Sequence, residues 1–144
     1  MQLSDHFSLE ELTHSDLALR KGIKNDPTPD VISNLTRLAG LLEQIRKRLN
    51  KPISINSGYR CLELNQAVGG QKTSQHLLGC AADIRVLGMT PDEVVKAIIQ
   101  TDIQFDQMIR EFDSWVHISV TNKAEDTPRN QILIIDKLGT RPYK

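Results

Sequence analysis

The stretch Ser74-Gln75-His76-Leu77-Leu78-Gly79-Cys80-Ala81-Ala82-Asp83 decides how this chain folds. It sets a histidine and an aspartate seven positions apart around a glycine. Imidazole and carboxylate both bind first-row metals, and Zn²⁺ takes either at about 2.0–2.2 Å. A helix also brings positions seven apart onto one face. Gly79, and the alternation of Ala82, Ile84 and Val86 after it, argue against a helix. They predict a loop carrying His76, a turn at Gly79 and a strand carrying Asp83. Two ligands do not complete a site, so the question passes to the rest of the chain.

A third ligand is found thirty-four positions beyond Asp83. In Trp115-Val116-His117-Ile118-Ser119-Val120 the apolar residues Val116, Ile118 and Val120 alternate with Trp115, His117 and Ser119. A strand sends the two sets to opposite faces, which places His117 away from the core and toward a cleft. His76, Asp83 and His117 would give three protein ligands and leave a fourth position for water, the pattern of a catalytic rather than a structural zinc site. Zinc lowers the pKa of such a water and polarises a substrate carbonyl.

Hydrolysis by that water needs a general base nearby. Glu111 and Asp113 are the candidates. Phe105–Phe112 reads as a strand that turns back near Asp113-Ser114 into the His117 strand. A three-residue loop pairs Glu111 with Trp115 and puts it on the face of His117. A two-residue loop pairs Arg110 with His117 and turns Glu111 away. Glu111 is preferred over Asp113, which a loop tip would leave mobile and wet. Arg60, in a turn after Ser57-Gly58-Tyr59, could hold a carboxylate or steady a developing oxyanion. Ser74 could donate to a substrate or support the ligand loop. Tyr59 and Trp115 either belong to the core or wall the cleft.

The remainder reads as scaffold. Ser8-Leu9-Glu10-Glu11 is a capping box that opens a short helix, and Ser15 opens another. Thr28-Pro29 starts the main helix, where Val31, Leu35, Leu38, Leu42, Ile45 and Leu49 form one apolar stripe that Asn50-Lys51-Pro52 ends. Ile53–Ser57 is a strand, Leu62–Ala67 a short helix, and Val68–Thr73 a glycine-hinged loop. Thr90-Pro91-Asp92-Glu93 opens a further helix, and Gln131–Ile135 is the last strand expected. Thr121–Asn130 reads as an exposed loop. Helices early and strands grouped late favour an α+β domain with a mainly antiparallel sheet.

At 144 residues the chain is expected to form one domain over its whole length. Eighteen basic residues balance eighteen acidic ones, so no nucleic-acid or anionic-membrane partner is expected. The one basic run, Arg46-Lys47-Arg48, suits the C-terminal end of its helix. No apolar run approaches a membrane span, and the N-terminus lacks the features of a secretory signal. These point to a cytoplasmic protein as synthesised. Cys61 and Cys80 are too few for a disulfide framework and read as ordinary thiols rather than a bridge.

Ser57-Gly58-Tyr59-Arg60, Asn65, Gly69-Gly70, Ser74-x-His76-x-x-Gly79-x-Ala81-Ala82-Asp83 and Trp115-x-His117 together resemble the zinc D-alanyl-D-alanine carboxypeptidase-like peptidases of family M15. The likeness is to the small single-domain branch common in phages and prophages. It covers roughly residues 6–120, and Phe7–Leu12 fits it as well. The resemblance implies a hedgehog/DD-peptidase-like fold and one zinc ion on His76, Asp83 and His117. It implies cleavage of peptidoglycan stem or cross-bridge peptides, with Arg60 stabilising the transition state and Ser74 assisting substrate binding; the sequence leaves the oligomeric state open, with a monomer as the expectation. An enzyme of this kind would reach the cell wall by a phage-type release. In one respect the chain departs: many relatives place the base three residues before the last histidine, where this chain has Ser114. A non-catalytic zinc- or peptidoglycan-binding module on the same fold is therefore the rival expectation.

Overall fold

The computed structural model describes residues 1–143, and its local elements begin where side chains can cap them. Ser8 Oγ accepts from the Glu11 amide at 3.1 Å while the Glu11 carboxylate accepts from the Ser8 amide at 3.2 Å. This reciprocal pair starts α1 (Leu9–Thr13). Ser15 caps α2 (Asp16–Lys21), and Thr28 caps α3 (Pro29–Leu49) with proline at its start. The α3 stripe is buried as its spacing predicts: Leu35, Leu38, Leu42 and Ile45 have no exposed surface. Each such side chain contributes roughly 1.5–3 kcal/mol of burial. Asn50, at φ 52°, closes α3 in the left-handed conformation.

The strands form one six-stranded sheet in the order β1-β2-β4-β3-β5-β6. They are β1 (Ile53–Ser57), β2 (Ala81–Val86), β3 (Gln107–Glu111), β4 (Trp115–Ser119), β5 (Gln131–Asp136) and β6 (Gly139–Pro142). All neighbours run antiparallel except β3 and β5, which run parallel. The result is the α+β architecture expected, with two differences. The expected last strand, β5, is followed by β6. It also joins the sheet beside β3 rather than through a hairpin, because Thr121–Asn130 crosses over from the end of β4 to the start of β3's neighbour. The strand expected over Phe105–Phe112 is confined to β3.

Two helices complete the set. The short α4 (Leu62–Ala67) follows Arg60, and α5 (Pro91–Ile99) starts at the expected Thr90/Glu93 capping box. One face of the sheet is apolar. Ile84, Met108, Val116 and Ile118 join the α3 stripe and Val94, Val95 and Ile98 of α5 in a single core. Alternation then forces Asp83, Ile109, Glu111, Trp115 and His117 onto the opposite face, and it is there that the polar residues gather. Cys61 and Cys80 are free thiols. Among the described residues no helix is long and apolar enough to cross a membrane.

Candidate metal centre

Two strands and one turn bring the ligands together. On β2 and β4, Asp83 and His117 are directly paired across the ladder. Their side chains therefore project side by side, and His117 Nδ1 lies 3.1 Å from Asp83 Oδ1. His76 comes from a different kind of element. The segment expected to be a plain loop is a 3-10 turn, Gln75–Leu78, capped by Ser74 Oγ on the His76 amide at 3.2 Å. Gly79 ends the turn at φ 76°, the left-handed region that glycine adopts without strain. His76 Nε2 then faces the same Asp83 oxygen at 3.3 Å. The two imidazole rings stand edge to face with centroids 5.2 Å apart. All three residues are 9% exposed or less.

The donor set fits a metal ion. His76 Nδ1 lies 2.7 Å from the Gly58 carbonyl. A carbonyl only accepts, so Nδ1 carries the proton and Nε2 presents a lone pair toward Asp83. Backing by a carbonyl is the usual way in which a ligating histidine is oriented. Gly58 reaches this position because it has no side chain: a Cβ there would lie 2.2 Å from the Leu12 carbonyl oxygen. His76, Asp83 and His117 each aim one ligand atom at a common point, with all such atoms within 4.8 Å of one another. A lone pair and a carboxylate facing each other in a buried space are reconciled by a cation between them. Burial on its own would raise the pKa of Asp83, but the His117 and His76 rings beside it outweigh burial and hold the group below the ordinary carboxylate range. Asp83 is therefore ionised, as a ligand must be.

Glu111 lines the same cleft. The β3–β4 connection is the three-residue loop Phe112-Asp113-Ser114, with Phe112 and Asp113 both at positive φ, and it pairs Glu111 with Trp115 and Ile109 with His117. This is the odd loop that puts Glu111 on the ligand face. Burial pushes the pKa of Glu111 up and the Asp83 charge adds to the effect, against smaller opposing pulls from His117, Trp115 and Arg60. Asp113, in contrast, is not brought to the cleft. It is exposed at the loop tip, pairs with Arg110 Nε at 3.2 Å, and borders a separate cleft on the core side of the hairpin. Its neighbour in the chain, Ser114, hydrogen-bonds within the turn.

Arg60 enters from the other side. Its amide donates to the His76 carbonyl at 3.0 Å, and its Nη2 donates to Ser74 Oγ at 3.4 Å. Its buried Nε has no partner. Burial lowers the Arg60 pKa, while Asp83 and Glu111 pull it back up. Ser74 thus both caps the ligand turn and steadies Arg60. Trp115 walls the cleft, and its buried indole N–H finds no hydrogen-bond acceptor in good geometry. Tyr59 is a core residue that also borders an adjoining cleft.

Three residues not singled out from the sequence complete the surroundings. Arg129, from the crossover segment, lines the metal cleft and grips Asp106 through Nε–Oδ1 at 3.0 Å and Nη2–Oδ2 at 2.7 Å. Gln75, beside His76, donates to Asp106 Oδ2 at 3.0 Å and to Asn122 Oδ1 at 2.8 Å. Arg129 and Asp106 carry no motif, and only the crossover brings them near the ligand turn. Gln75 lay inside the decisive stretch but is not itself a metal ligand.

A buried His-Asp-His cluster that could hold a metal ion, with an acid and an arginine beside it, is an arrangement that metal-dependent hydrolysis uses. A model of the family Peptidase M15 matches residues 5–119, and the chain belongs to that family. M15 peptidases are zinc-dependent, and among the described residues the His76/Asp83/His117 cluster is a group that could hold the ion. No curated protein matches the chain significantly.

Proposed function

We propose that this protein is a zinc peptidase that hydrolyses peptide bonds of the peptidoglycan stem or cross-bridge, on a hedgehog/DD-peptidase-like scaffold. The observation that carries the reading is the convergence of Glu111 and Arg60 on the cleft that holds His76, Asp83 and His117. A bare binding module needs the three ligands and has no use for a desolvated acid beside them. His76, Asp83 and His117 would hold the zinc. The ion, when bound, supplies Lewis acidity that activates water and polarises the scissile carbonyl.

Glu111 takes the proton of the attacking water and returns it to the leaving amine. Its raised pKa suits both halves of that task, since a carboxylate with more affinity for a proton is a better base and a usable acid near neutral pH. Arg60 offers the carbonyl oxygen a fixed positive charge as negative charge develops there. Its unpartnered Nε leaves it a donor to give. Ser74 holds the guanidinium in place, and Trp115 and Tyr59 form walls against which a peptide is positioned. The substrate would be peptide segments of the cell wall, reached after a phage-type release, with the protein acting as a monomer.

The deciding experiment compares zinc-loaded wild type and Glu111→Gln on purified murein, with metal content measured for each. Cleavage by the wild type, and a loss of about 10²–10⁴-fold in the variant at equal zinc content, is the expected result. An intact metal site in a wild-type protein that releases no product would instead establish the non-catalytic module.

A further inference from the structure

The metal centre does not close off the bottom of a pocket. Its cleft, about 500 Å³, shares Arg60, Asp83 and Trp115 with a second cleft of about 730 Å³ that continues past Tyr59 to Asn56 and Leu17. On its other side it shares Thr73, Gln75 and Arg129 with a third, of about 540 Å³, walled by Asp106, Asn122 and Asp126. The two outer clefts have no lining residue in common, so they meet only through the metal centre.

Strand β4 gives the groove its direction. Trp115 stands where the centre joins the Tyr59 arm, His117 stands at the centre, and the chain then runs on to Thr121 and Asn122 in the other arm. From Trp115 to Thr121 an extended chain covers on the order of 20 Å. A terminal dipeptide covers about 7 Å. The groove is therefore several residues longer than removal of a terminal residue requires.

Charge points the same way. An exopeptidase of the carboxyl end needs a free cation where its groove stops. At the Asn122 end Arg129 is committed to Asp106 by two hydrogen bonds, and Asp126 adds negative charge. In the other arm His14 is paired with Asp16 at 2.9 Å, and Arg85 is bound by its Nε to the Ser114 carbonyl at 2.7 Å. Arg60 is not at an end at all. It stands where two clefts join, and a chain bound beside it has room to continue.

We propose that the protein is an endopeptidase, with its peptide lying along β4 and substrate residues on both sides of the metal centre. An internal amide C–N bond breaks, the oxygen of water bonds to the carbonyl carbon, and the amine departs with the proton; nothing else is consumed. Thr121, Asn122, Asp126, Thr127 and Arg129 of the Asn122 arm lie beyond 119, where the family match ends, while Thr73, Gln75 and Asp106 lie within it. The inference rests on the peptidase reading above, and the two fail differently.

Purified murein is digested with the zinc-loaded protein and the products are identified by mass. Fragments cut at internal bonds, with two or more residues on each side of the cut, are expected. Loss of terminal alanine alone would overturn the endopeptidase assignment while leaving the peptidase reading intact. Absence of any product would sink both. Asn122→Trp, which fills the far arm without touching a metal ligand, should lower kcat/KM on murein at least tenfold at unchanged zinc content. An unchanged rate would remove that arm from the substrate path.

Discussion

Glu111 faces two demands that pull against each other. It is desolvated beside Asp83, which raises its pKa, and it must be ionised to accept a proton. Turnover should therefore climb as pH rises through that raised value, above the ordinary glutamate range. A pH profile of kcat/KM would show this limb, and a limb at the ordinary glutamate pKa would contradict the burial of the base. The same shift has a cost in stability. The folded chain holds the Glu111 proton more tightly than the unfolded chain, so the metal-free protein loses stability as pH rises from the unfolded to the folded pKa. Glu111→Gln should raise the Tm of chelator-treated protein at neutral pH, while the zinc-loaded variant loses turnover about 10²–10⁴-fold. The residue types of this site could be read from the sequence, because ligand spacing and strand alternation are local signals. The preference for Glu111 over Asp113 could be argued there too, but not the face on which Glu111 lies, because that turned on one residue of loop length. The three-residue loop, with positive φ at Phe112 and Asp113, puts Glu111 on the ligand face, and neither residue type announces that conformation.

Elements place the ligands, and the ligand turn shows how closely. Gly79 needs its φ of 76°, and a Cβ there would lie 2.9 Å from both the Val31 carbonyl oxygen and a Val31 methyl. The end of the His76 turn is thus pressed onto α3. Gly88 has nearly the same φ, 75°, but open space around it. Both alanine variants carry the left-handed strain of about 1–2 kcal/mol, and Gly79→Ala adds the clash. Gly79→Ala should weaken zinc binding about tenfold or more, whereas Gly88→Ala should leave it within about twofold; metal titration against a competing chelator measures both. Equal affinities would mean that the turn does not set His76. The glycine and the turn were evident in the sequence. The pressing of that turn onto α3, the Gly58 carbonyl behind His76 and the parallel β3–β5 pair were not, since periodicity identifies a strand but not its partner. β6 escaped notice because Gly139–Pro142 has neither an apolar alternation nor length.

The molecule as a whole is tied together by the site on one face of the sheet and by the core on the other. At the far edge a small polar cluster fastens the C-terminal segment. Tyr143 Oη donates to Asp92 Oδ1 at 2.7 Å, and Lys96 and Arg110 also bind that carboxylate. Hydrogen bonds from Tyr143 and Lys96 lead in lowering the Asp92 pKa to about 2. Its contribution is present above the unfolded pKa near 4 and is lost as pH falls toward 2. Asp92→Asn should accordingly narrow the stability difference between pH 5 and pH 2, and denaturant titrations at the two values would show it. The metal centre joins β4 to β2 and the His76 turn, which lie far before it in the chain, so an ion that binds only when they are assembled stabilises their assembly. At a free zinc concentration 100 times its Kd the gain is about 2.7 kcal/mol, which at this chain length moves Tm by roughly 5–10 °C. Removal of zinc with a chelator should lower Tm by that amount in the wild type. In Asp83→Asn, where the ionised ligand shared by both histidines is gone, the same treatment should change Tm by less than about 2 °C. A wild-type Tm indifferent to the chelator would mean that His76, Asp83 and His117 do not hold a metal in the folded protein.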